Sequence, residues 1–420
     1  MDNIESAQPL VSNDAVVLGI LMVLLAAIFY TSALKTSFWK NFYTILPPLL
    51  LCYFVPALLN WPLNLISGDV SGLYKMASRY LLPASLILLC LSIDLKGIIN
   101  LGGKSLIMFF TATIGIILGG PIALFVASEI LPDVINVAPE ELWRALSTIA
   151  GSWIGGGANQ TAMKEIFEVS DNLFGTMIVI DVLVASIWMG VLLYGAGIST
   201  KIDRWLKADN SAIEDLKKSV SEYRERVAKM PTTLDYFNVF AVGFGGVAFS
   251  HFVADIITPY MVNHKEALDQ LGLNSLTSHF FWMIVVATTL GFGLSFTKAR
   301  ELEGVGAGKF GSIFIYILVA TIGMKMNIGA ALSNLGLFVI GIIWMLTHVA
   351  LLLIVAKFIK APFFFVAVGS QANVGGAASA PIVATAFDSA LAPVGVLMAV
   401  LGYALGTYGA LICAQLMSLV

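Results

Sequence analysis

Residues 150–162, AGSWIGGGANQTA, set three consecutive glycines among Ser152, Asn159, Gln160 and Thr161, with apolar chain on both sides. Residues 368–379, VGSQANVGGAAS, repeat the plan with Ser370, Gln371, Asn373 and Ser379 around Gly375 and Gly376. Gly-Ser begins both stretches and Gly-Gly-x-Ala follows in both, with two more residues between them in the second. Glycines such as Gly155, Gly156 and Gly157 let a helix unwind and let a ligand approach the main chain. The ends of such half-helices offer positive partial charge to anions, and their freed carbonyls can hold Na⁺. The hydroxyl and amide side chains around them are neutral ligands. Together they describe a site for a small solute or ion. Glycines that only permit close helix packing are the plainer reading, but that leaves the polar residues in both copies without a role.

Asp181, in MIVIDVLVASIWMG, lies about three turns into the apolar run after the first stretch, with no basic residue in helical reach. A charge inside a span is a functional candidate. Here it would be a Na⁺ ligand beside the glycine-segment carbonyls or a proton carrier; the structural alternative is an acid bonded to a neighbouring helix. Asp94 and Asn327 sit at matched span ends and either flank the polar segments or cap helices. Tyr403, Thr407 and Tyr408 in the last apolar run could line a cavity. His251 and Asp255, spaced i, i+4, could pair or relay a proton, while His348 reads as a packed, hydrogen-bonded histidine. Cys52, Cys90 and Cys413 lie in apolar runs and suggest neither disulfides nor a transition-metal site.

These residues need membrane helices to position them. Of 420 residues, 58% are hydrophobic and 12% charged, against roughly 25% charged in soluble domains. Runs near the ~20 residues that cross a bilayer occur at about 16–34, 43–60, 79–99, 104–130 and 172–198, with the first glycine segment at 140–167. After a polar connector, 199–235, others follow at 236–259, 278–297, 308–326, 335–356 and 389–418, with the second glycine segment at 361–387. The acidic start lacks the basic stretch of a secretory signal, so 16–34 reads as a retained span.

The same order in 1–198 and 236–420 predicts an all-α polytopic membrane protein of two repeats, each five spans plus a glycine-rich hairpin. SIDLKGIINLG and KMNIGAALSNLG echo each other at matched positions. Lys and Arg favour the cytoplasmic side. The connector carries eight of them, from Lys201 to Lys229, and is placed there. If the glycine segments re-enter rather than cross, the loops with Lys35, Lys96, Lys298 and Lys357 also fall inside. The acidic N-terminus and the loop with Glu140 then fall outside. Five crossings per half make the repeats inverted, a secondary-transporter plan. Within the connector, Leu216, Val220, Tyr223 and Val227 recur at helical spacing, which predicts an amphipathic helix on the membrane or the protein. Its mixed charges do not suggest nucleic-acid binding. Walker, dinucleotide, HExxH and GxSxG motifs are absent, so neither ATP-driven pumping nor enzymatic chemistry is expected.

AGSWIGGGANQTAM, VGSQANVGGAASAPIVATAF and LSIDLKGIINLG resemble the YjcL-like membrane proteins, a family (domain of unknown function 819) similar to cation/proton antiporters and anion transporters. Its 2-hydroxycarboxylate and sodium/glutamate symporter relatives also carry paired glycine hairpins. The resemblance, which covers essentially the whole chain, implies a transport domain moving against a scaffold that forms a homodimer. It also implies a bacterial inner (plasma) membrane and Na⁺ or H⁺ coupling, with no other cofactor. The Gly-Gly cores match at Gly155-Gly156 and Gly375-Gly376. No arginine lies near the second segment, where citrate carriers hold a carboxylate, and no paired Asp-Asp of electrogenic antiporters occurs. The expected function is a secondary transporter for a small polar or anionic solute. A cation/proton antiporter without organic substrate, or a non-transporting receptor or scaffold, are the alternatives.

Overall fold

The computed structural model describes residues 9–46, 48–68, 70–93, 98–99, 101–130, 132–209, 231–270, 274–326, 334–388 and 391–420. Asp94, Asn327 and the predicted amphipathic helix of the connector lie outside them. Among the described residues the chain is helical, without strands. The first half contains α1 (Asp14–Ala33), α2 (Ser37–Ile45), α3 (Pro48–Asn60), α4 (Leu73–Met76), α5 (Leu82–Leu91), α6 (Gly103–Ile130), α7 (Pro139–Ile166) and α8 (Asp171–Gly197). A short α9 (Ser199–Leu206) leads away from it. The second half contains α10 (Thr233–Val262), α11 (Lys265–Gln270), α12 (His279–Leu294), α13 (Ala307–Gly323), α14 (Phe338–Ile359), α15 (Phe363–Val374), α16 (Gly376–Phe387) and α17 (Ala392–Met417).

Six of these, α1, α6, α8, α10, α14 and α17, are long and apolar enough to cross a bilayer. A seventh crossing is available if α12 is counted with the 3-10 turn Lys298–Val305, from which it is bent by 94°. The chain is a multi-pass membrane protein. Proline explains two departures from the predicted spans. The run 43–60 is not one helix but α2 and α3, and Pro48 opens the second, where its missing N–H and fixed φ cost nothing. The run expected from 79 begins earlier, at α4, and passes through a π turn, Ala77–Leu81, into α5. Pro83 has no N–H to offer the carbonyl four residues before it, that of Arg79. His251 Nε2 bonds that carbonyl at 3.0 Å. His251 thus repairs a proline break and does not pair with Asp255, whose Oδ1 is 2.9 Å from His279 Nε2.

The helices sort into two packed groups. α1, α3, α5, α10, α12 and α13 pack mainly on one another, and so do α6, α7, α8, α14, α15, α16 and α17. Within the second group α6 and α14 run antiparallel. Gly115 of α6 faces His348, and Gly119 and Gly120, one turn on, face Trp344, one turn back. Trp344 Nε1 closes the contact by donating to Ile116 O at 2.8 Å. The segments that follow the two C-termini, α7 and the α15–α16 pair, therefore start from opposite ends of the bundle.

Both segments fold back on themselves. α7 is interrupted at Gly156, which has φ 76° and ψ −175°, a conformation open to glycine and closed to most side chains. Trp143 near its start stacks edge-on against Phe167 just past its end, with ring centroids 5.3 Å apart. A straight helix would hold those rings roughly 36 Å apart. In the second segment the break falls at Gly376, with φ 61°, and Phe364 meets Phe387 at 5.4 Å. Each arm there has 12 residues, about 18 Å of helix, enough to pass the middle of a ~30 Å hydrocarbon layer.

α7 crosses α17 with almost no space between backbones. A Cβ on Gly406 would lie 2.5 Å from Gly155 Cα, an obstacle that cannot swing aside. Gly406→Ala should lower thermal stability by about 1–3 kcal/mol through overpacking. Gly190→Ala, where a Cβ meets nothing within 4 Å, should not. Thermal unfolding of the purified protein checks the pair.

Candidate functional site

The site is built from one face of α8. Asp181, 4% exposed, receives Ser152 Oγ at 2.6 Å and Gln160 Nε2 at 3.0 Å on Oδ2. Trp153 Nε1 donates to its Oδ1 at 2.7 Å. Ser152 and Trp153 precede the break at Gly156 and Gln160 follows it, so one carboxylate ties both arms of the first hairpin. Seven residues on, about two turns, Trp188 Nε1 donates to Ser370 Oγ in the second hairpin at 2.8 Å. His348 Nδ1 is 3.1 Å from Ala112 O, and its Nε2 is 2.8 Å from Ser370 Oγ. A carbonyl only accepts, so Nδ1 carries the proton and Nε2 takes the serine O–H.

The remaining predicted residues divide by role. Asn159 Nδ2 donates to Gly155 O at 2.9 Å and to Tyr403 O at 3.1 Å. Its Oδ1 accepts Thr407 Oγ1 at 2.5 Å. Thr161 Oγ1 bonds Gly157 O at 2.9 Å. In the second hairpin Asn373 faces α6, accepting Thr113 Oγ1 at 2.9 Å and donating to Gly369 O at 3.0 Å. Gln371 Nε2 reaches across the break to Ser379 Oγ at 2.7 Å, while its buried Oε1 has no hydrogen-bond partner. The two hairpins approach each other at Gly402 of α17. A Cβ there would sit 2.5 Å from Ile154 O of the first and 3.9 Å from Ala372 O of the second. The structure thus gathers Ser152, Asn159, Gln160, Asp181, Tyr403 and Thr407 around the first break, whereas Ser370 and Asn373 anchor the second hairpin to its neighbours.

Sequence reasoning missed the tryptophan donors and a charged cluster at the base of the first hairpin. Lys164 Nζ lies 2.9 Å from Asp171 Oδ1, and Lys325 Nζ lies 3.0 Å from Asp171 Oδ2. Tyr74 O–H donates to Glu165 Oε1 and accepts Lys164 Nζ at 3.0 Å. Lys164 and Asp171 belong to the hairpin group; Tyr74 is on α4, which packs on α13 in the other group, and Lys325 follows just after α13. The cluster therefore joins the two helix groups. The available signal was Lys164 itself, a lysine placed next to the hairpin where it is only 5% exposed.

Replacing Asp181 by Asn puts an N–H₂ where an acceptor oxygen stood, so a buried donor loses its partner at about 1–3 kcal/mol. Asp181→Asn should lower the melting temperature clearly. Asp255→Asn, at a side chain 71% exposed, should barely move it.

Comparison with known proteins places this site in a family. The chain is 23% identical over 343 residues, 80% of its length and 82% of the relative's, to the "Uncharacterized membrane protein YjcL" of Bacillus subtilis (strain 168). The family described as "Protein of unknown function (DUF819)" matches residues 19–420. That match takes in both hairpins, Asp181 and Trp188, and the chain belongs to the DUF819 family of membrane proteins.

Proposed function

We propose that this protein is a secondary active transporter, not an enzyme, moving a small polar or anionic solute coupled to Na⁺ or H⁺. The observation that carries the reading is the meeting of two broken hairpins, from opposite ends of the bundle, beside one buried carboxylate. Irregular backbone at membrane depth belongs in transporters at the point where repeats face each other. On this reading the halves are inverted repeats. The N-terminus is outside, the connector is cytoplasmic, and the protein sits in a bacterial inner membrane as a homodimer. The oxygens around the first break, with Asp181, form a hard donor set of the type alkali cations take. An ionised carboxylate only accepts hydrogen bonds. A proton or cation arriving at Asp181 competes with Ser152, Trp153 and Gln160, and so couples ion occupancy to hairpin position.

The hairpin group then moves as a body against the scaffold group, an elevator movement, with the Tyr74–Lys164–Asp171–Lys325 cluster as the contact that opens. Exchange of cation for proton without organic solute is the second reading. It is favoured by Asp181 being the only buried carboxylate among the described residues.

Uptake into proteoliposomes under imposed Na⁺ or H⁺ gradients tests the function. Solute-dependent cation or proton flux that Asp181→Asn abolishes is expected. Flux with no solute dependence selects the exchanger, and no gradient-driven flux of either kind overturns both. For the movement, Tyr74→Cys with Glu165→Cys should be bridged by a short bismaleimide, since Cys52, Cys90 and Cys413 are buried. Bridging should stop uptake; full uptake by bridged protein removes rigid-body movement.

A further inference from the structure

Where α8 ends and α15 begins, the short helix α9 covers part of an apolar groove of about 310 Å³. Every side chain lining it is aliphatic or aromatic, among them Tyr194, Ile198, Trp205, Leu353, Phe363 and Val366. The groove holds no polar group for a hydrophilic solute to bond, and Trp188 in its wall turns its one N–H away to Ser370. Its position is interfacial. Helices α8 and α14 finish there, and Tyr194 and Trp205 stand exposed, as aromatic residues do at the headgroup level.

The rim has a definite charge. Lys201, Arg204, Lys207, Lys357 and Lys360 are all exposed around α9 and the end of α14. Lys357 marks the mouth, its Nζ 4.1 Å from the centre of the Trp205 ring. The two nearby carboxylates are already engaged. Asp203 Oδ1 accepts Phe363 N–H at 2.7 Å, and Asp209 pairs with Lys104 at 3.0 Å. An apolar slot under a cationic rim at the membrane boundary is complementary to one molecule the bilayer supplies in quantity: an acidic phospholipid.

We infer that this groove is a binding site for an anionic phospholipid, with an acyl chain between α8, α14 and α15 and its phosphate against Arg204 and Lys357. The site abuts the second hairpin. Phe363 and Val366 are in its first arm, Asp203 caps that arm, and Trp188 holds Ser370 one turn further in. Lipid in the groove therefore braces that arm against α8. This inference rests on the groove and its rim, not on the transport reading.

Native mass spectrometry of the purified full-length protein, titrated with dioleoylphosphatidylglycerol or dioleoylphosphatidylcholine, tests it. The acidic lipid should be retained at least tenfold more tightly, in line with ~1 kcal/mol for each of two cations facing a headgroup that has no choline to offset its phosphate. Arg204→Gln with Lys357→Gln should remove the preference, and Val349→Trp, which fills the groove, should remove tight retention of either lipid. Equal retention of the two lipids by the wild-type chain overturns the proposal, as does an unchanged preference in the charge variant. The charge substitutions sit on exposed side chains and keep the test valid if the groove-filling variant fails to fold.

Discussion

A helical hairpin broken at a glycine has few bonds of its own across the break, so something outside it must fix how deep each break lies. In this protein that something is the face of α8 that carries Asp181 and Trp188. The first holds both arms of one hairpin, and the second holds the other hairpin through Ser370. The two residues are seven apart, which returns to the same side of the helix after about two turns. A slip of one residue would rotate that face by about 100° and break the α8 bonds to both hairpins together. Through α8 the two breaks therefore share one register.

The antiparallel pair α6 and α14 supplies the complement. Glycines at 115, 119 and 120 let the helices close on Trp344 and His348. Those two side chains then reach outward, Trp344 to Trp153 of the first hairpin at 5.3 Å and His348 to Ser370 of the second. The arrangement is alike in shape and unlike in charge. The first hairpin surrounds a carboxylate, while the second is held by hydroxyl, imidazole and indole. Among the described residues, the one buried carboxylate lies at the first hairpin. The second offers instead a neutral acceptor, Gln371 Oε1, buried near its break with no partner.

Much of this was legible in the sequence because membrane helices advertise themselves by composition, and glycines in a polar setting mark where helices break. The helices 103–130, 139–166 and 171–197 fall within a residue of their expected bounds. Asp181 stood out as a lone charge, and its contacts with the glycine segment follow from the two lying one loop apart. What stayed hidden depends on partners distant in the chain. Trp188 reads as one more apolar residue until Ser370, 182 residues on, takes its N–H. His251 looked like half of an HxxxD pair, because nothing local says that Pro83 frees a carbonyl 172 residues from it. Lys325 has no partner that local sequence could suggest, because only the fold brings it to Asp171.

The charged cluster between the helix groups divides its burial unevenly across the boundary. Leaving a buried charge without its partner is strongly destabilising. Lys164 is the buried member, and both residues it pairs with, Glu165 and Asp171, lie in its own helix group. The pair that crosses between groups, Lys325 with Asp171, is the more exposed one, with side chains 20% and 24% accessible. If the groups part, Lys164 keeps its carboxylates. Lys325 keeps the ring of Tyr74, 4.5 Å from its Nζ and in its own group, and turns to water. The desolvation penalty of separation thus falls on the charge best placed to be rehydrated. Were the roles exchanged, with Lys164 depending on a partner across the boundary, the same contact would fasten the two groups together.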